Sequence, residues 1–296
     1  MNKYPVVFAI DKNYILPLSV ALISLLKNNS NKCIEIYVLH DDLTETDQKL
    51  IKKCIYSDFV QINFYNIDSS VFDNYKTGYH FTKAIFYRLL IPDIFKNKFD
   101  KVLYIDSDAL ILGDISTIFD VNLEDNYLAA VSNIGFDRYE SLGIEKSHGY
   151  FASGTILFNV KKWISDDIFL RLSKYLEGNK HVLMPDQDAL NVIVDGKWRP
   201  LDIGFGVETS LIDAVYNNDY TEYKESVFSP VIVHFSGSSK PWHFANKHKY
   251  KKEFNRYLKL TPFHPYKPSD FTFRNILISL IPRPVQVHIK KLLSLI

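Results

Sequence analysis

The segment that most constrains the fold is residues 101–108 (KVLYIDSD), an apolar run of strand-forming residues that ends in two carboxylates. A strand buried in a parallel sheet reads as such a continuous apolar run, and in open α/β sheets ligands bind just beyond the carboxyl ends of the strands. Because side chains alternate along an extended chain, Asp106 and Asp108 can point the same way. The segment therefore predicts a central strand that delivers two acids to a binding edge.

Two carboxylates this close together at a buried edge repel each other unless a cation lies between them. A divalent ion held by carboxylate oxygens would satisfy both charges, and it would also bind a diphosphate. The alternative is a solvated turn that carries two surface acids, which an isolated Asp-x-Asp pattern does not exclude. Other motifs elsewhere in the sequence are needed to distinguish a metal site from a solvated turn.

Composition narrows the class of protein. The 296 residues are enough for one large core or a core with an appendage, and the formal net charge of +1 gives no overall field that would favour nucleic acid as a partner. Two cysteines, Cys33 and Cys54, make neither a disulfide framework nor a metal knuckle, and they suit a reducing cytoplasm. We therefore expect a cytoplasmic globular protein without a nucleic-acid partner.

The apolar residues 15–26 (ILPLSVALISLL) resemble the core of a secretion signal, but a strand at 6–10 and the polar residues 11–13 precede them. A signal peptide has its basic region directly before the apolar core, and twelve apolar residues are too few to cross a bilayer. The segment is better interpreted as a buried helix.

Strand and helix patterns alternate along the chain. Such alternation predicts an α/β fold with a Rossmann-like, mainly parallel sheet flanked by helices. No Gly-x-Gly-x-x-Gly follows the first strand, so a nicotinamide-type dinucleotide site has little support. The predicted strands are 6–10, 34–39, 60–67, 101–105, 128–132 and 150–159, and the predicted helices are 15–27, 44–55, 81–90, 161–176, one that opens at 185, and 250–260.

Residues 231–242 (VIVHFSGSSKPW) form the second informative segment, in which an apolar strand is followed by His234, Gly237 and Lys240. A loop of small residues exposes backbone N–H groups that can bind phosphate oxygens, and the lysine adds a positive charge. Taken alone, His234 fits a buried, hydrogen-bonded core histidine as well as a metal ligand. Together with the two aspartates it predicts a manganese site, whereas oxygen ligands alone would favour magnesium.

Three further features of the sequence are a pair of acids, a glycine within a strand and the C-terminal tail. Asp186 and Asp188 follow Pro185 at the start of a predicted helix, where acids are ordinary capping residues. Gly154 interrupts an apolar strand, which predicts the close approach of another backbone or of a ligand. The tail after Phe271 carries basic residues, two short apolar segments and no acid, so it is either an interfacial membrane anchor or a helix docked on the core.

Taken together, these motifs resemble glycosyltransferase family 8, most closely the bacterial lipopolysaccharide and lipooligosaccharide α-galactosyl- and α-glucosyltransferases. The resemblance covers roughly residues 4–250, with the motifs in the same order and spacing. Each motif is weak alone, but several in register are specific. They are residues 8–14 (FAIDKNY), Tyr87-Arg88, 102–108 (VLYIDSD), 151–154 (FASG), 186–188 (DQD) and 234–242 (HFSGSSKPW).

The resemblance implies a GT-A fold, which we place over residues 1–262. The interfacial interpretation of the basic amphipathic C-terminal helical tail, placed at 263–296, predicts peripheral contact with the inner membrane. It implies Mn²⁺, with Mg²⁺ as the alternative, bound by Asp106, Asp108 and His234. Asp11 and Asn13 would contact uracil and Tyr14 would stack on it. The implied donor-binding set is Ala9, Asp11, Asn13, Tyr14, Arg88, Asp106, Ser107, Asp108, Ser153, Gly237 and Lys240, and the implied catalytic set is Asp186, Gln187 and Asp188.

One position departs from the family pattern, because Ala152 stands where the family usually has Asn. The amide that would hydrogen-bond a sugar hydroxyl is missing, so the sequence leaves the transferred sugar open between galactose and glucose. The resemblance implies retention of configuration at the anomeric carbon. Asp188 acting as a nucleophile and front-face departure of the leaving group both remain open.

The sequence thus predicts a retaining hexosyltransferase that uses UDP-galactose or UDP-glucose and a glycan or glycolipid acceptor. Three alternatives remain: a nucleotide-sugar hydrolase or phosphotransferase, a binding module without catalysis, and a glycogenin-like self-glycosylating protein.

Overall fold

The computed structural model describes residues 3–57, 59–77, 82–179, 183–273, 275 and 276. Within these ranges the strands are β1 (Lys3–Ala9), β2 (Cys33–His40), β3 (Val60–Asn66), β4 (Lys101–Ile105), β5 (Ala109–Ile111), β6 (Leu128–Ser132), β7 (Phe151–Asn159), β8 (Trp198–Leu201), β9 (Val207–Glu208) and β10 (Ile232–His234).

Helices lie between these strands. They are α1 (Ile15–Asn28), α2 (Glu45–Lys52), α3 (Ile91–Phe95), α4 (Tyr139–Leu142), α5 (Val160–Ser165), α6 (Ile168–Gly178), α7 (Pro185–Val194), α8 (Thr209–Tyr216), α9 (Lys224–Phe228) and α10 (Lys251–Leu258), with short 3-10 helices at several connections.

A seven-stranded sheet with the order β3-β2-β1-β4-β7-β6-β8 forms the centre of the protein. The predicted α/β class and the mainly parallel sheet are confirmed, because β1 pairs in parallel with both β2 and β4. Strand β7 runs antiparallel to β4 and to β6. Successive residues of β1 face opposite sides, so that Val6 and Phe8 join one core layer and Val7 joins the other.

A second sheet of three strands, with the order β5-β10-β9, lies beside the carboxyl end of β4. Strand β10 pairs antiparallel with β5 and parallel with β9. The chain leaves β4 at Ile105 and enters β5 at Ala109, so the two predicted acids occupy the connection between the sheets. This arrangement positions the site described below.

Helix α1 confirms the interpretation of residues 15–26 as a buried helix, because eleven of its fourteen residues are buried. The predicted capping box of α2 is also present, since Thr44 and Asp47 each bond the other's backbone N–H.

Two predicted helices are wrong in kind or extent. The segment predicted as a helix over 81–90 is a 3-10 helix over Lys83–Leu90, and residue 81 lies outside the described residues. The carbonyl of Arg88 accepts from Ile91, three residues on. In an α-helix its donor would be residue 92, which is proline and has no N–H.

The helix predicted over 161–176 is two helices, α5 and α6. Asp167 between them has φ 49°, and Tyr127, Lys162 and Ser165 all bond the side chain of Asp166. A left-handed residue ends an α-helix, and these local bonds fix the break.

The described part of the tail contacts the domain. The backbone N–H groups of Phe244 and Ala245 donate to the carboxylate of Asp270 at 2.6 and 3.0 Å. Phe263 and Tyr266 pack against the core. The division at residue 262 stays a prediction, and the apolar segments from residue 277 onward lie outside the described residues. No helix within the described ranges is long and apolar enough to span a membrane.

Candidate active site

Asp106 follows β4 directly, and three neighbours fix its position. Its backbone N–H donates to the carbonyl of Gly154 on β7 at 2.8 Å. Its Oδ1 accepts from the hydroxyl of Tyr104 and lies 2.9 Å from a guanidinium nitrogen of Arg88. Its Oδ2 faces the imidazole of His234 instead. One carboxylate oxygen is therefore anchored in the fold while the other points toward the cluster.

The three-stranded sheet brings His234 to the aspartates from more than a hundred residues away in the sequence. Strand β10 pairs His234 with Ala109 of β5, and the N–H of Phe235 donates to the carbonyl of Asp108 at 3.1 Å. The Nε2 atom of His234 lies 3.3 Å from Oδ2 of Asp106 and 3.4 Å from Oδ1 of Asp108. The structure thus joins the three side chains that the sequence singled out.

This cluster fits a divalent cation. One ligand atom from each of Asp106, Asp108 and His234 can be chosen so that all lie within 4.8 Å of one another. Two carboxylates and one imidazole are a donor set that divalent first-row metal ions accept. Gly154 makes the approach of these side chains sterically feasible, since a Cβ atom there would lie 2.6 Å from Nδ1 of His234. The sequence predicted another backbone or a ligand at Gly154, whereas the groups that approach it are the side chains of His234 and Asp106.

Lys240 supplies positive charge beside the cluster. Its Nζ lies 2.5 Å from Oδ2 of Asp108 and donates to the carbonyl of Phe235 at 2.7 Å. Burial would raise the pKa of Asp108, but Lys240 and His234 outweigh burial and hold that pKa well below its usual range. Asp108 is therefore ionised at neutral pH and available as an anionic ligand.

His234 is surrounded by acids on both ring edges. Burial favours the neutral imidazole, but Asp108, Asp106 and Glu208 outweigh it and raise the pKa of His234 to about 8. The cluster therefore prefers a positive charge at its centre, whether a proton or a metal ion supplies it.

Arg88 and Ser153 connect this cluster to the start of α7. The guanidinium of Arg88 is buried, lies 3.3 Å from Oδ2 of Asp186, and donates to both oxygens of Ser153 at 2.8 and 3.0 Å. The side-chain oxygen of Gln187 accepts from the backbone N–H of Ser153 at 2.9 Å. Asp186 is thus more than a cap, because it shares Arg88 with Asp106.

Asp188 has a different environment from Asp186. Its carboxylate is fully buried and accepts from Tyr150 at 2.5 Å, from Arg138 at 2.9 Å and from the backbone N–H of Met184 at 3.1 Å. Tyr150 also accepts from the amide of Gln187 at 3.3 Å. The structure places Asp188 in a saturated hydrogen-bond network that fixes the start of α7.

The first βα turn lies beside the same edge of the sheet. Asp11 caps a 3-10 helix by accepting from the N–H of Asn13 at 2.7 Å, and its other oxygen accepts from Thr82 at 2.8 Å. Tyr14 packs edge-on against Trp242, with ring centroids 6.0 Å apart. Burial, and then the negative charges of Asp108, Asp106 and Asp11, raise the pKa of Tyr14.

The remaining predicted donor-binding residues lie at the same end of the sheet. Ala9 is the last residue of β1, and Ser107 is buried between the two aspartates. Gly237 has φ 86°, and a Cβ atom there would meet nothing within 4 Å. The loop after β10 therefore needs glycine because of the left-handed backbone conformation, and not because a side chain would clash. Whether these residues and Asn13 bind a donor stays a prediction.

The sequence interpretation missed four residues that support the site. Tyr104 could have been found from the sequence, since it lies on β4 two residues before Asp106 and can therefore point the same way. Arg138 and Tyr150 come from a loop and a loop end, and Glu208 from a two-residue strand. Such short, irregular elements have no periodicity that would identify them.

An α/β sheet whose carboxyl edge gathers an Asp-x-Asp pair and an imidazole is the arrangement of a GT-A glycosyltransferase. The chain belongs to glycosyl transferase family 8, whose sequence model matches residues 5–246.

The chain is also similar to individual proteins, two by sequence and one by fold. The chain is 28% identical to General stress protein A of Bacillus subtilis, over 88% of this chain and 94% of that protein. It is 31% identical to the lipopolysaccharide 1,3-galactosyltransferase of Salmonella typhimurium, over 82% of this chain and 74% of that protein. The crystal structure of the galactosyltransferase LgtC, in complex with donor and acceptor sugar analogs, superposes with a TM-score of 0.77 at 23% identity, covering 90% of this chain and 98% of that one.

Proposed function

We propose that this protein transfers galactose or glucose from a UDP-sugar to a hydroxyl group of a lipopolysaccharide, capsule or other surface glycan, with retention of configuration and in a Mn²⁺-dependent reaction. The observation that carries the proposal is the convergence of Asp106, Asp108 and Nε2 of His234 at one point of the sheet edge. The Salmonella relative, named for its action on lipopolysaccharide, supports the acceptor class.

The proposed roles follow from the contacts of each side chain. Asp106, Asp108 and His234 would hold the cation, which when bound supplies positive charge to the diphosphate of the donor. Lys240 lies against Asp108 and would stabilise negative charge on the departing UDP. Arg88 keeps Asp106 and Asp186 in fixed positions on either side of its guanidinium. Asp11, Asn13 and Tyr14 would bind uracil at the neighbouring turn.

The contacts also bear on how retention is achieved. A nucleophilic carboxylate needs a free oxygen that faces the sugar, but both oxygens of Asp188 accept hydrogen bonds from buried or half-buried donors. We therefore favour front-face departure, in which the leaving phosphate accepts the acceptor proton. In this route Asp186 and Gln187 line the donor sugar while Asp188 anchors α7.

A panel of UDP-sugars, scored by slow UDP release without acceptor, tests the donor and the cation together. Wild-type protein with Mn²⁺ should release UDP from UDP-galactose or UDP-glucose, and EDTA should stop the release. The Asp108→Asn variant should lose this activity and keep its fold. Asp114→Asn is the matched control, because Asp114 lies shortly after β5, as Asp108 lies just before it, but pairs with Lys32 and the backbone N–H of Ser116.

Acceptor dependence separates the proposed transfer from the alternatives. Addition of a surface-glycan acceptor should accelerate UDP release well above the rate of hydrolysis. Equal rates with and without every acceptor would favour a hydrolase. A mass increase of the protein itself after incubation with UDP-glucose would favour self-glycosylation. Near-normal turnover in Asp108→Asn would eliminate the metal role.

A further inference from the structure

A third carboxylate faces His234 on the side away from the two aspartates. Strand β9 pairs in parallel with β10, and the register places Glu208 beside His234. The Oε1 atom of Glu208 lies 3.7 Å from Nδ1 of His234, a distance typical of an ion pair rather than a hydrogen bond. The imidazole therefore lies in a row across the three-stranded sheet, between Asp108 at the start of β5 and Glu208 on β9.

The carboxylate of Glu208 is itself held in place. The amide of Asn133 donates to its Oε2 at 2.9 Å, which leaves Oε1 as the oxygen turned toward the imidazole. The next residue, Thr209, donates from its backbone N–H to the hydroxyl of Ser236 at 3.2 Å and so links β9 to the loop after β10. The side chain of Glu208 is only 15% exposed, so water competes weakly for this charge.

We propose that Glu208 is a positioning residue that keeps the proton of the imidazole on Nδ1, so that Nε2 of His234 presents its lone pair to a cation held with Asp106 and Asp108. A metal-binding histidine commonly has a carboxylate at its other ring nitrogen, which fixes the tautomer and raises the basicity of the ligand. Glu208 thereby sets how tightly the site binds the ion. This inference rests on the metal role given above.

The isosteric variant Glu208→Gln is the sharpest test. If its amide oxygen accepts from Asn133 in place of Oε2, its NH₂ group faces Nδ1 of His234. A donor at that position favours an unprotonated Nδ1 and a proton on Nε2, which is the tautomer in which Nε2 has no lone pair for the ion. The volume and the neighbours of residue 208 stay the same, so a change in metal binding reports on charge and tautomer.

Glu35→Gln is the matched control. Glu35 is also a buried strand glutamate with a cationic partner, Lys3 at 2.6 Å, but it lies on β2 beside Pro5, away from the carboxyl edge of the sheet. Isothermal titration of Mn²⁺ into the full-length proteins, without nucleotide, measures the affinity directly. Circular dichroism and urea unfolding in EDTA first establish that each variant folds.

We expect Glu208→Gln to bind Mn²⁺ about 10-fold to 100-fold more weakly than wild type, the range found when the partner of a ligating histidine is removed. Glu35→Gln should bind within about twofold of wild type. In the UDP-release assay, Glu208→Gln should need correspondingly more Mn²⁺ for half-maximal rate but reach a kcat near that of wild type at saturating Mn²⁺. A purely structural role would instead lower kcat and stability together.

Three outcomes separate the possibilities. Weaker Mn²⁺ binding in Glu208→Gln alone supports the inference. Wild-type affinity in Glu208→Gln, or in Glu208→Ala should the first variant fail to fold, overturns the positioning role and leaves the metal site intact. Absence of Mn²⁺ binding by the wild-type protein overturns the metal role and the inference with it.

Discussion

Replacing Gly154 with alanine tests the geometry of the cluster more severely than removing a ligand does. The new Cβ atom would lie 2.6 Å from Nδ1 and 2.8 Å from Cε1 of His234, and 3.1 Å from Oδ2 of Asp106. Ordinary contact begins at 3.4 Å. Strand β7 cannot easily move away, because the carbonyl of Gly154 holds the backbone N–H of Asp106.

The size of the expected effect follows from these distances. To reach ordinary contact the imidazole and the new methyl group must separate by about a further 0.8 Å, whereas metal–ligand distances tolerate deviations of about 0.2 Å. Nε2 would then no longer share a coordination sphere with both aspartates. We expect Gly154→Ala to weaken Mn²⁺ binding about 10-fold to 100-fold, equivalent to about 1.4 to 2.8 kcal/mol.

Calorimetric titration of Mn²⁺ measures this loss, and Gly178→Ala provides the control. Gly178 ends α6, and a Cβ atom there meets nothing within 4 Å, so the control should bind Mn²⁺ as wild type does. Wild-type affinity in Gly154→Ala would refute the reasoning, because it would mean that His234 can move by this distance without leaving the ion.

Three further predictions concern stability and the tail. Arg138→Ala should lower the free energy of unfolding, measured in urea, by about 2 kcal/mol, because the buried Asp188 loses its cation, although Arg138 itself is 30% exposed. Arg199→Ala, which removes an exposed ion pair, should change the free energy of unfolding by about 0.5 kcal/mol or less. Burial lowers the pKa of His248 from 6.5 to about 4, so the unfolded chain binds more protons than the folded protein between these pH values. Stability therefore falls by about 2 kcal/mol as the pH drops through that window, after allowance for partial exposure of the ring. Urea unfolding of His248→Gln should show a shallower fall in stability between pH 7 and 4.5, and a slope identical to that of wild type would contradict this. Deleting residues 277–296, which leaves the contacts of Asp270 in place, should release the protein from sedimenting vesicles that contain anionic lipid, whereas unchanged sedimentation would contradict a membrane role for the tail.

Much of the fold could be predicted because its long elements have simple patterns. Strands β1, β2 and β4 are nearly continuous apolar runs, because both faces of an internal strand lie in the core. Helix α1 is long and almost wholly apolar, so it is stable only where its side chains are buried. These elements fix where the carboxyl edge lies, and hence where Asp106 and Asp108 fall.

The convergence of His234 with the aspartates could be inferred only from chemistry. Nothing in the local sequence around residue 234 specifies that β10 pairs with β5, since both strands are three residues long. The inference rested on the need of two carboxylates for a cation and a third ligand. The structure shows this strand pairing and adds a third acid, Glu208, at the other ring nitrogen.

Other features could not be predicted because tertiary contacts override local preference. The break between α5 and α6 depends on the hydroxyl of Tyr127, which comes from a different part of the chain. The role of Asp188 depends on Arg138, which lies fifty residues earlier in the chain. The sequence offered Asp186 as a cap and Asp188 as a candidate nucleophile, and only the partners of each carboxylate in the structure reveal their different environments.

The most direct test of the account is the coupling between Mn²⁺ and UDP in the wild-type protein and in His234→Ala. Calorimetry should give one Mn²⁺ per wild-type chain, with each ligand tightening the binding of the other by the same factor, because a cation held by Asp106, Asp108 and His234 would contact the diphosphate. His234→Ala should lose most of this mutual effect. Equal UDP affinity in wild-type protein with Mn²⁺ and with EDTA would contradict the central claim.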